Sequence, residues 1–213
     1  MRLQNARYEL SVHDPRRLPP ETLPEIAFIG RSNAGKSSAL NALAGRRRLA
    51  FVSKTPGRTQ LVNFFAVDED AFLVDLPGYG YAGVPLEVRR HWDTLVGEYV
   101  FHRNALAGVV VVMDSRHPLA PQDRRLLDWL FPSGRQVHVL LSKADKLSAQ
   151  AAQRTLAQAR KDLALAYPGA TVQLFSSLKR TGLAEAQACL EAWVAAHKQK
   201  APAQGDERRG EKP

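Results

Sequence analysis

The chain has 213 residues, of which 45% are hydrophobic and 24% are charged, and these values are typical of one globular domain. The composition excludes a collagen and a wholly disordered chain, and a single cysteine, Cys189, excludes a disulfide scaffold. The sequence has no apolar run of about 18 residues, which excludes a transmembrane helix. Residues 1–20 lack the apolar stretch of a signal peptide, so we expect a cytoplasmic protein.

The charge balance is strongly basic, with 30 Lys and Arg residues against 21 Asp and Glu residues, a net charge of +9 and an isoelectric point near 10.0. A positive surface attracts polyanions, of which nucleic acid is the most common in a cytoplasm. The charge therefore favours a nucleic-acid or ribonucleoprotein partner, although solubility alone would also explain it.

Three regions can be distinguished along the chain. Residues 1–22 form a basic lead-in with arginine and proline pairs, for which we predict irregular structure. Residues 23–197 contain nearly all of the apolar runs and are the predicted folded domain. Residues 198–213 offer almost nothing to bury, so we predict a disordered tail.

The folded domain alternates between strand-like and helix-like segments. The six predicted strands are Glu25–Ile29, Leu61–Val67, Ala71–Asp75, Leu106–Asp114, Val137–Ser142 and Thr171–Phe175. Predicted helices follow Gly35 and cover Leu86–Phe101, Gln122–Trp129, Ala149–Ala166 and Ala184–His197. Short apolar runs separated by helices predict a doubly wound α/β fold, a mostly parallel six-stranded sheet with helices on both faces. Such folds bind ligands at the carboxyl ends of the strands.

The first predicted strand ends in a phosphate-binding signature. Its residues are Gly30, Arg31, Ser32, Asn33, Ala34, Gly35, Lys36 and Ser37, which match G-x-x-x-x-G-K-S, the P-loop. The glycines let backbone N–H groups face a phosphate, and the next helix offers its N-terminus to the same anion. We predict that Lys36 reaches the β- and γ-phosphates and that Ser37 binds Mg²⁺. A plain glycine turn is the alternative, but the position between strand and helix favours the P-loop.

The third predicted strand ends in a second signature, D-x-x-G, formed by Asp75, Leu76, Pro77 and Gly78. An aspartate at a strand end beside a P-loop can hold Mg²⁺ through water. The glycine can direct its N–H toward the γ-phosphate and move when that phosphate leaves. Alone the pattern usually marks a turn, but after a P-loop it favours a nucleotide switch.

The last two predicted strands end in residues suited to a purine base. The fifth strand runs into Ser142, Lys143, Ala144 and Asp145, and the sixth ends at Phe175, Ser176, Ser177 and Leu178. A carboxylate here can accept hydrogen bonds from N1 and N2 of guanine, a donor pair that adenine lacks. The Lys143 stem can cover the base, and a backbone N–H near Ser177 could meet the guanine O6. The pattern therefore disfavours an ATPase.

This ordered set resembles the translation-factor-class small GTPases and, more narrowly, the EngB (YihA/YsxC) family of bacterial GTPases. The resemblance covers nearly the whole folded domain. The specific segments are Thr55-Pro56-Gly57-Arg58-Thr59-Gln60 and Asp75-Leu76-Pro77-Gly78-Tyr79-Gly80-Tyr81-Ala82. The resemblance implies a role in assembly of the large ribosomal subunit and in normal cell division and septation. Ser142 departs from the family, where threonine is usual, although a hydroxyl is kept.

The resemblance also implies site roles beyond those of the motifs. Thr59 would be the switch I threonine, binding Mg²⁺ with Ser37 and Asp75 when the γ-phosphate is present, and Asp75 to Tyr81 would form switch II. The residues Gly57, Arg58, Gln60 and Leu61 would contact nucleotide. Catalysis would fall to Lys36, Thr59, Gly78 and Asn33, with GTP and GDP as ligands of a monomer that does not insert into membranes.

Hydrolysis without a partner is expected to be slow. Many GTPases place a glutamine after the D-x-x-G glycine to orient water, and Tyr79 stands there instead. Asn33 could bind a stimulating K⁺ ion or merely tolerate a strained backbone angle. Arg58 could stabilise charge in cis, but a solvated or RNA-facing role is favoured.

Two other function classes stay open. The chain could be an RNA-binding module that holds nucleotide as a structural ligand, or a division-site scaffold that acts independently of ribosomes. Candidate RNA contacts are Arg46-Arg47-Arg48, Arg16-Arg17, Arg89-Arg90 and Arg124-Arg125, although solvated positions would explain them too. The six histidines lack metal-ligand spacing, so a zinc site is not expected.

Overall fold

A computed structural model of the protein describes residues 1–50, 61–79 and 86–200. These residues form one seven-stranded sheet in the order β1-β3-β4-β2-β5-β6-β7. The strands are β1 (Arg7–Val12), β2 (Glu25–Gly30), β3 (Val62–Val67), β4 (Ala71–Asp75), β5 (Leu106–Asp114), β6 (Val137–Ser142) and β7 (Thr171–Leu174). The β1–β3 and β3–β4 pairs are antiparallel, and the other pairs are parallel. The doubly wound α/β prediction is thus confirmed.

Strand β1 is the main difference from the sequence prediction, which had six strands and an irregular lead-in. It adds an antiparallel edge to β3, with Arg7 opposite Ala66 and Val12 opposite Val62. Within β1 only Val12 is buried. Its apolar residues Tyr8, Leu10 and Val12 alternate with polar ones and form no continuous apolar run, which is why the segment was not predicted as a strand.

In the described residues, four α-helices connect strands and a fifth follows β7. They are α1 (Lys36–Leu43), α2 (Leu86–His102), α3 (Pro121–Leu130), α4 (Ala149–Ala166) and α5 (Leu183–Lys200). Proline at the first position starts α3, and the Ser148 hydroxyl caps α4 by accepting from the Ala151 N–H at 3.2 Å. Helix α5 includes residues 198–200, which the sequence assigned to the tail. Residues 201–213 lie outside the described part.

The core lies on both faces of the sheet. Alternate residues of β5 are buried on opposite sides, with Val109 and Val111 in one cluster and Val110 and Val112 in the other. The first cluster packs under α2, α3 and α4, and the second under α1 and α5. A parallel sheet buried on both faces presents only its strand ends to solvent, so ligands meet it at an edge.

The amino edge of the sheet is closed by a buried ion pair. The Arg103 guanidinium donates to both carboxylate oxygens of Glu25 at 2.6–3.1 Å, and both side chains are at most 6% exposed. Arg135 donates to the backbone carbonyls of Val100, Arg103 and Leu106 nearby. These bonds tie the end of α2 to the starts of β2 and β5.

Within the described residues, no helix combines the length and apolar character needed to cross a membrane.

Candidate nucleotide-binding site

The P-loop motif connects β2 to α1 at the carboxyl edge of the sheet. Gly35 has a φ of 99°, which favours glycine, and a Cβ there would lie 3.3 Å from the Ser142 hydroxyl. A Cβ at Gly30 would lie 2.8 Å from the Val112 carbonyl oxygen. Glycine is therefore favoured at position 35 by the positive φ and at position 30 by the close approach of a backbone carbonyl. Asn33 also has a positive φ, 61°, and is exposed.

The end of β4 brings Asp75 to the P-loop lysine. The Lys36 ammonium forms an ion pair with the Asp75 carboxylate, and the two side chains are only 13% and 11% exposed. Asn63 on β3 donates weakly to the other carboxylate oxygen at 3.5 Å. The groups predicted to meet phosphate and Mg²⁺ are thus already side by side, neutralising each other.

The loop after β6 is bonded to the P-loop. The Ser142 hydroxyl donates to the Ala34 carbonyl oxygen, and the Lys143 ammonium donates to the Asn33 carbonyl oxygen at 2.6 Å. Lys143 has a φ of 56°. The serine that departs from the family pattern therefore makes a direct tether to the phosphate loop.

The loops after β6 and β7 are also bonded to each other. The Ser176 hydroxyl donates to Asp145 Oδ1 at 2.5 Å, and the Ala144 N–H donates to the Phe175 carbonyl at 3.1 Å. The Ser176 hydroxyl accepts in turn from the Lys179 N–H at 3.0 Å. These bonds orient the Asp145 carboxylate before any base is present.

One residue near this end of the site was not predicted from the sequence. Asp114, the last residue of β5, pairs with Lys143 at 2.9 Å and with Arg116 at 2.6 Å. The hydrogen bond from Arg116 and that from Lys143 hold the pKa of Asp114 well below its usual range despite burial. Position at a strand end was the only sequence signal for Asp114. Leu178, which follows Ser177, is 73% exposed.

Tyr79 points into the protein. Its hydroxyl donates to Asp123 Oδ1 at 2.8 Å, and burial together with the Asp123 charge raises the pKa of this phenol. The phenol therefore stays protonated and engaged. The Trp92 indole N–H donates to the carbonyl of Pro77 at 3.0 Å, so the D-x-x-G segment is held from two sides.

Several predicted residues cannot be placed. Gly57, Arg58, Thr59 and Gln60 lie outside the described residues, as do residues 80–82. Leu61 is described and is half-buried just before β3.

Three of the four candidate RNA-contacting segments make bonds with other parts of the protein or with nearby acidic residues. Arg46, Arg47 and Arg48 are exposed after α1, and Arg46 donates to the Gln4 carbonyl at 3.2 Å. Arg16 pairs with Asp14 at 2.7 Å, and Arg124 pairs with Asp162 at 3.0 Å.

The chemistry of the donor set can be tested against Mg²⁺. In the described ranges, no three His, Cys, Asp or Glu side chains cluster as a protein-only metal site. A buried aspartate beside a P-loop serine suits a different arrangement, in which Mg²⁺ takes one or two protein oxygens and the rest from phosphate and water. Asp75 and Ser37 therefore fit a nucleotide-dependent Mg²⁺ ion.

Comparison with known proteins gives the family. The family model described as 50S ribosome-binding GTPase matches residues 25–143. The probable GTP-binding protein EngB of Methylobacillus flagellatus is 54% identical over 199 residues, covering 93% of this chain and 96% of that protein. The protein of the same name from Aromatoleum aromaticum is 56% identical over 191 residues, covering 90% and 88%.

Solved structures agree on the fold. The crystal structure of a probable GTP-binding protein engB has a TM-score of 0.60 at 22% identity, covering 81% of this chain and 99% of that one. Era in complex with MgGDPNP and a 16S ribosomal RNA segment has a TM-score of 0.64 at 19% identity, covering 81% and 57%. The fold, the spacing of the strand-end motifs and the extent of these matches agree, and the chain belongs to the EngB family of GTP-binding proteins, within the P-loop GTPases.

Proposed function

We propose that this protein is a slow, Mg²⁺-dependent GTPase that acts as a nucleotide switch in assembly of the large ribosomal subunit. By the same proposal it supports normal cell division and septation and works as a cytoplasmic monomer. The observation that carries the proposal is that the three motifs lie at one edge of the sheet: Lys36 follows β2 and pairs with Asp75 at the end of β4, and Asp145 follows β6.

Binding of the phosphates requires an exchange of ion-pair partners. Lys36 is paired with Asp75, and both are mostly buried. In the nucleotide complex Lys36 would turn to the β- and γ-phosphates, and Asp75, Ser37 and Thr59 would hold Mg²⁺. The ion would supply positive charge to the phosphates. Asp75 would then keep a cationic partner after Lys36 leaves it.

Guanine selection falls to the loops after β6 and β7. The Ser176 hydroxyl donates to one carboxylate oxygen of Asp145, and this bond orients the carboxylate. That carboxylate accepts from N1 and N2 of guanine, and the backbone at Ser177 donates to O6. Lys143 is held by Asn33 and Asp114, so its stem covers one face of the base. Leu178 is exposed where it can cover the other face.

Slow intrinsic hydrolysis follows from Tyr79. The phenol is bonded to Asp123, so it orients no attacking water. Gly78 contributes its N–H to the γ-phosphate and Lys36 contributes charge. A K⁺ ion near the exposed Asn33 side chain would add the missing positive charge, and Arg58 is a second source. Equal rates in KCl and NaCl would reject the K⁺ contribution.

The ribosomal partner is supported by charge and by family. The protein carries +9, which favours RNA, and the matching family model is described as ribosome-binding. The inward-facing Tyr79 also favours a second candidate, an RNA-binding protein that keeps nucleotide as a structural ligand and hardly turns it over.

Co-sedimentation with purified large ribosomal subunits separates these candidates. Binding is measured with a non-hydrolysable GTP analogue and with GDP, at one near-physiological salt concentration, because a basic protein binds RNA loosely at low salt. The switch proposal expects binding that requires the GTP analogue. Equal binding in both states would support the passive RNA binder, and binding in neither state would reject the ribosomal partner.

A further inference from the structure

Three parts of the site converge on one buried carboxylate, that of Asp123 in the first turn of α3. Its Oδ1 accepts from Arg31 Nε at 2.8 Å and from the Tyr79 hydroxyl at 2.8 Å. Its Oδ2 accepts from the Ala120 N–H at 3.1 Å. Arg31 belongs to the P-loop and Tyr79 directly follows the D-x-x-G glycine, so this carboxylate joins both phosphate-facing segments to α3.

The surroundings of Asp123 make these bonds strong. The Asp123 side chain is fully buried and the Arg31 side chain is 24% exposed, so water competes poorly for either. A buried carboxylate needs a charge partner, and the Arg31 guanidinium supplies it. The Tyr79 phenol stays protonated, because its pKa is raised, and it adds a hydrogen bond to a charged acceptor.

The backbone also joins the two segments that contact Asp123. Phe28 of β2 pairs with Asp75 of β4, and beyond the strand ends Arg31 forms a parallel bridge with Tyr79. Between these two pairings the chain from Asp75 has one residue more than the chain from Phe28, so it bulges at Leu76–Gly78. The Trp92 indole holds Pro77, just before Gly78. Gly78 is therefore fixed between two anchored neighbours.

We propose that Asp123 is a positioning residue that holds Tyr79 and Arg31 together and thereby presets the Gly78 N–H for the γ-phosphate. The inference rests on the proposed function, since it assigns Gly78 to that phosphate. GDP lacks the γ-phosphate and gains nothing from a preset Gly78. Loss of the Asp123 bonds must then weaken GTP binding selectively.

The test compares dissociation constants for GDP and for a non-hydrolysable GTP analogue, with Mg²⁺ at fixed salt. In Asp123→Asn, which removes the charge but keeps the shape, analogue affinity falls about tenfold, as expected for one charge-assisted hydrogen bond. In Tyr79→Phe, which removes only the hydroxyl, it falls about threefold. GDP affinity changes less than about twofold in both, and single-turnover hydrolysis falls with analogue affinity.

The same helix provides a matched control. Tyr167 donates through its hydroxyl to Asp128 of α3 at 2.6 Å, a bond of the same kind that involves no phosphate-facing residue. Tyr167→Phe should leave the ratio of the two affinities unchanged. Should Asp123→Asn fail to fold, Tyr79→Phe decides the question, because the phenyl ring keeps its packing.

Two results would overturn the inference. If Tyr79→Phe lost affinity equally for GDP and for the analogue, the bonds among Asp123, Tyr79 and Arg31 would only support the structure. A gain in analogue affinity would mean that these bonds oppose the GTP state. Failure of the proposed function looks different: the unmodified protein would then show no preference for guanine over adenine nucleotides.

Discussion

Two mostly buried ion pairs lie at opposite edges of the central sheet, and we assign them different roles. At the amino edge, Arg103 donates three hydrogen bonds to Glu25, and both side chains are at most 6% exposed. At the carboxyl edge, Lys36 pairs with Asp75 beside the phosphate loop, with 13% and 11% exposure. The first pair lies at the edge of the sheet opposite the P-loop, whereas in our account the second exchanges partners when nucleotide binds. The edge of the sheet on which each pair lies therefore separates the structural pair from the functional one.

The largest expected effect is on the amino-edge pair. Arg103→Met keeps much of the packing but leaves the buried Glu25 carboxylate unpaired, which costs about 3–5 kcal/mol of unfolding free energy. Chemical denaturation measures this loss. Adding Glu25→Gln should recover much of it, because the remaining group is neutral. Nucleotide affinity of the folded protein should not change. A change would contradict a purely structural role for the amino-edge pair.

At the carboxyl edge, the sharpest change is expected for Asp145→Ala. It removes two hydrogen bonds from guanine to a charged acceptor, so GDP affinity should fall at least about 100-fold. Titration calorimetry with GDP and with inosine diphosphate, which lacks the N2 donor, checks the assignment. The unmodified protein should prefer GDP, and the variant should not. A preference that persists in the variant would show that another group reads N2.

Lys36→Gln tests the exchange of partners directly. The glutamine amide can still donate to Asp75 but carries no charge, and both side chains are less buried than the Arg103–Glu25 pair, so the protein without nucleotide should lose less stability than in Arg103→Met. The amide cannot supply charge to the phosphates, so GDP affinity should fall about 10- to 100-fold. If stability fell as steeply as in Arg103→Met while GDP affinity held, the Lys36–Asp75 pair would be structural after all.

The smallest effect is expected for Ser142→Ala. The hydroxyl tethers the base loop to the Ala34 carbonyl, and removing one neutral hydrogen bond should weaken GDP binding about three- to tenfold. Ser142→Thr keeps the hydroxyl and should match the unmodified protein. No difference between the alanine and threonine variants would mean that the tether is dispensable.

Much of this arrangement could be read from the sequence because the motifs sit at strand ends. The buried strands of the central sheet are near-continuous apolar runs, and they place Lys36, Asp75 and Asp145 by position alone. The edge strand Arg7–Val12 was not predicted, because its apolar residues alternate with polar ones and form no continuous run like those of the buried strands. The convergence on Asp123 was equally hidden, since it joins residues far apart in the chain and none of its contacts has a sequence pattern.

The most direct measurement is the affinity of the unmodified protein for GDP against ADP, by titration calorimetry with Mg²⁺. Our proposal is that Lys36 leaves Asp75 for phosphate at the carboxyl edge of the sheet and that Asp145 accepts hydrogen bonds from guanine there. It predicts tight GDP binding and ADP binding at least about 100-fold weaker, because adenine lacks the donor pair that Asp145 accepts. Comparable affinities for the two nucleotides would contradict it.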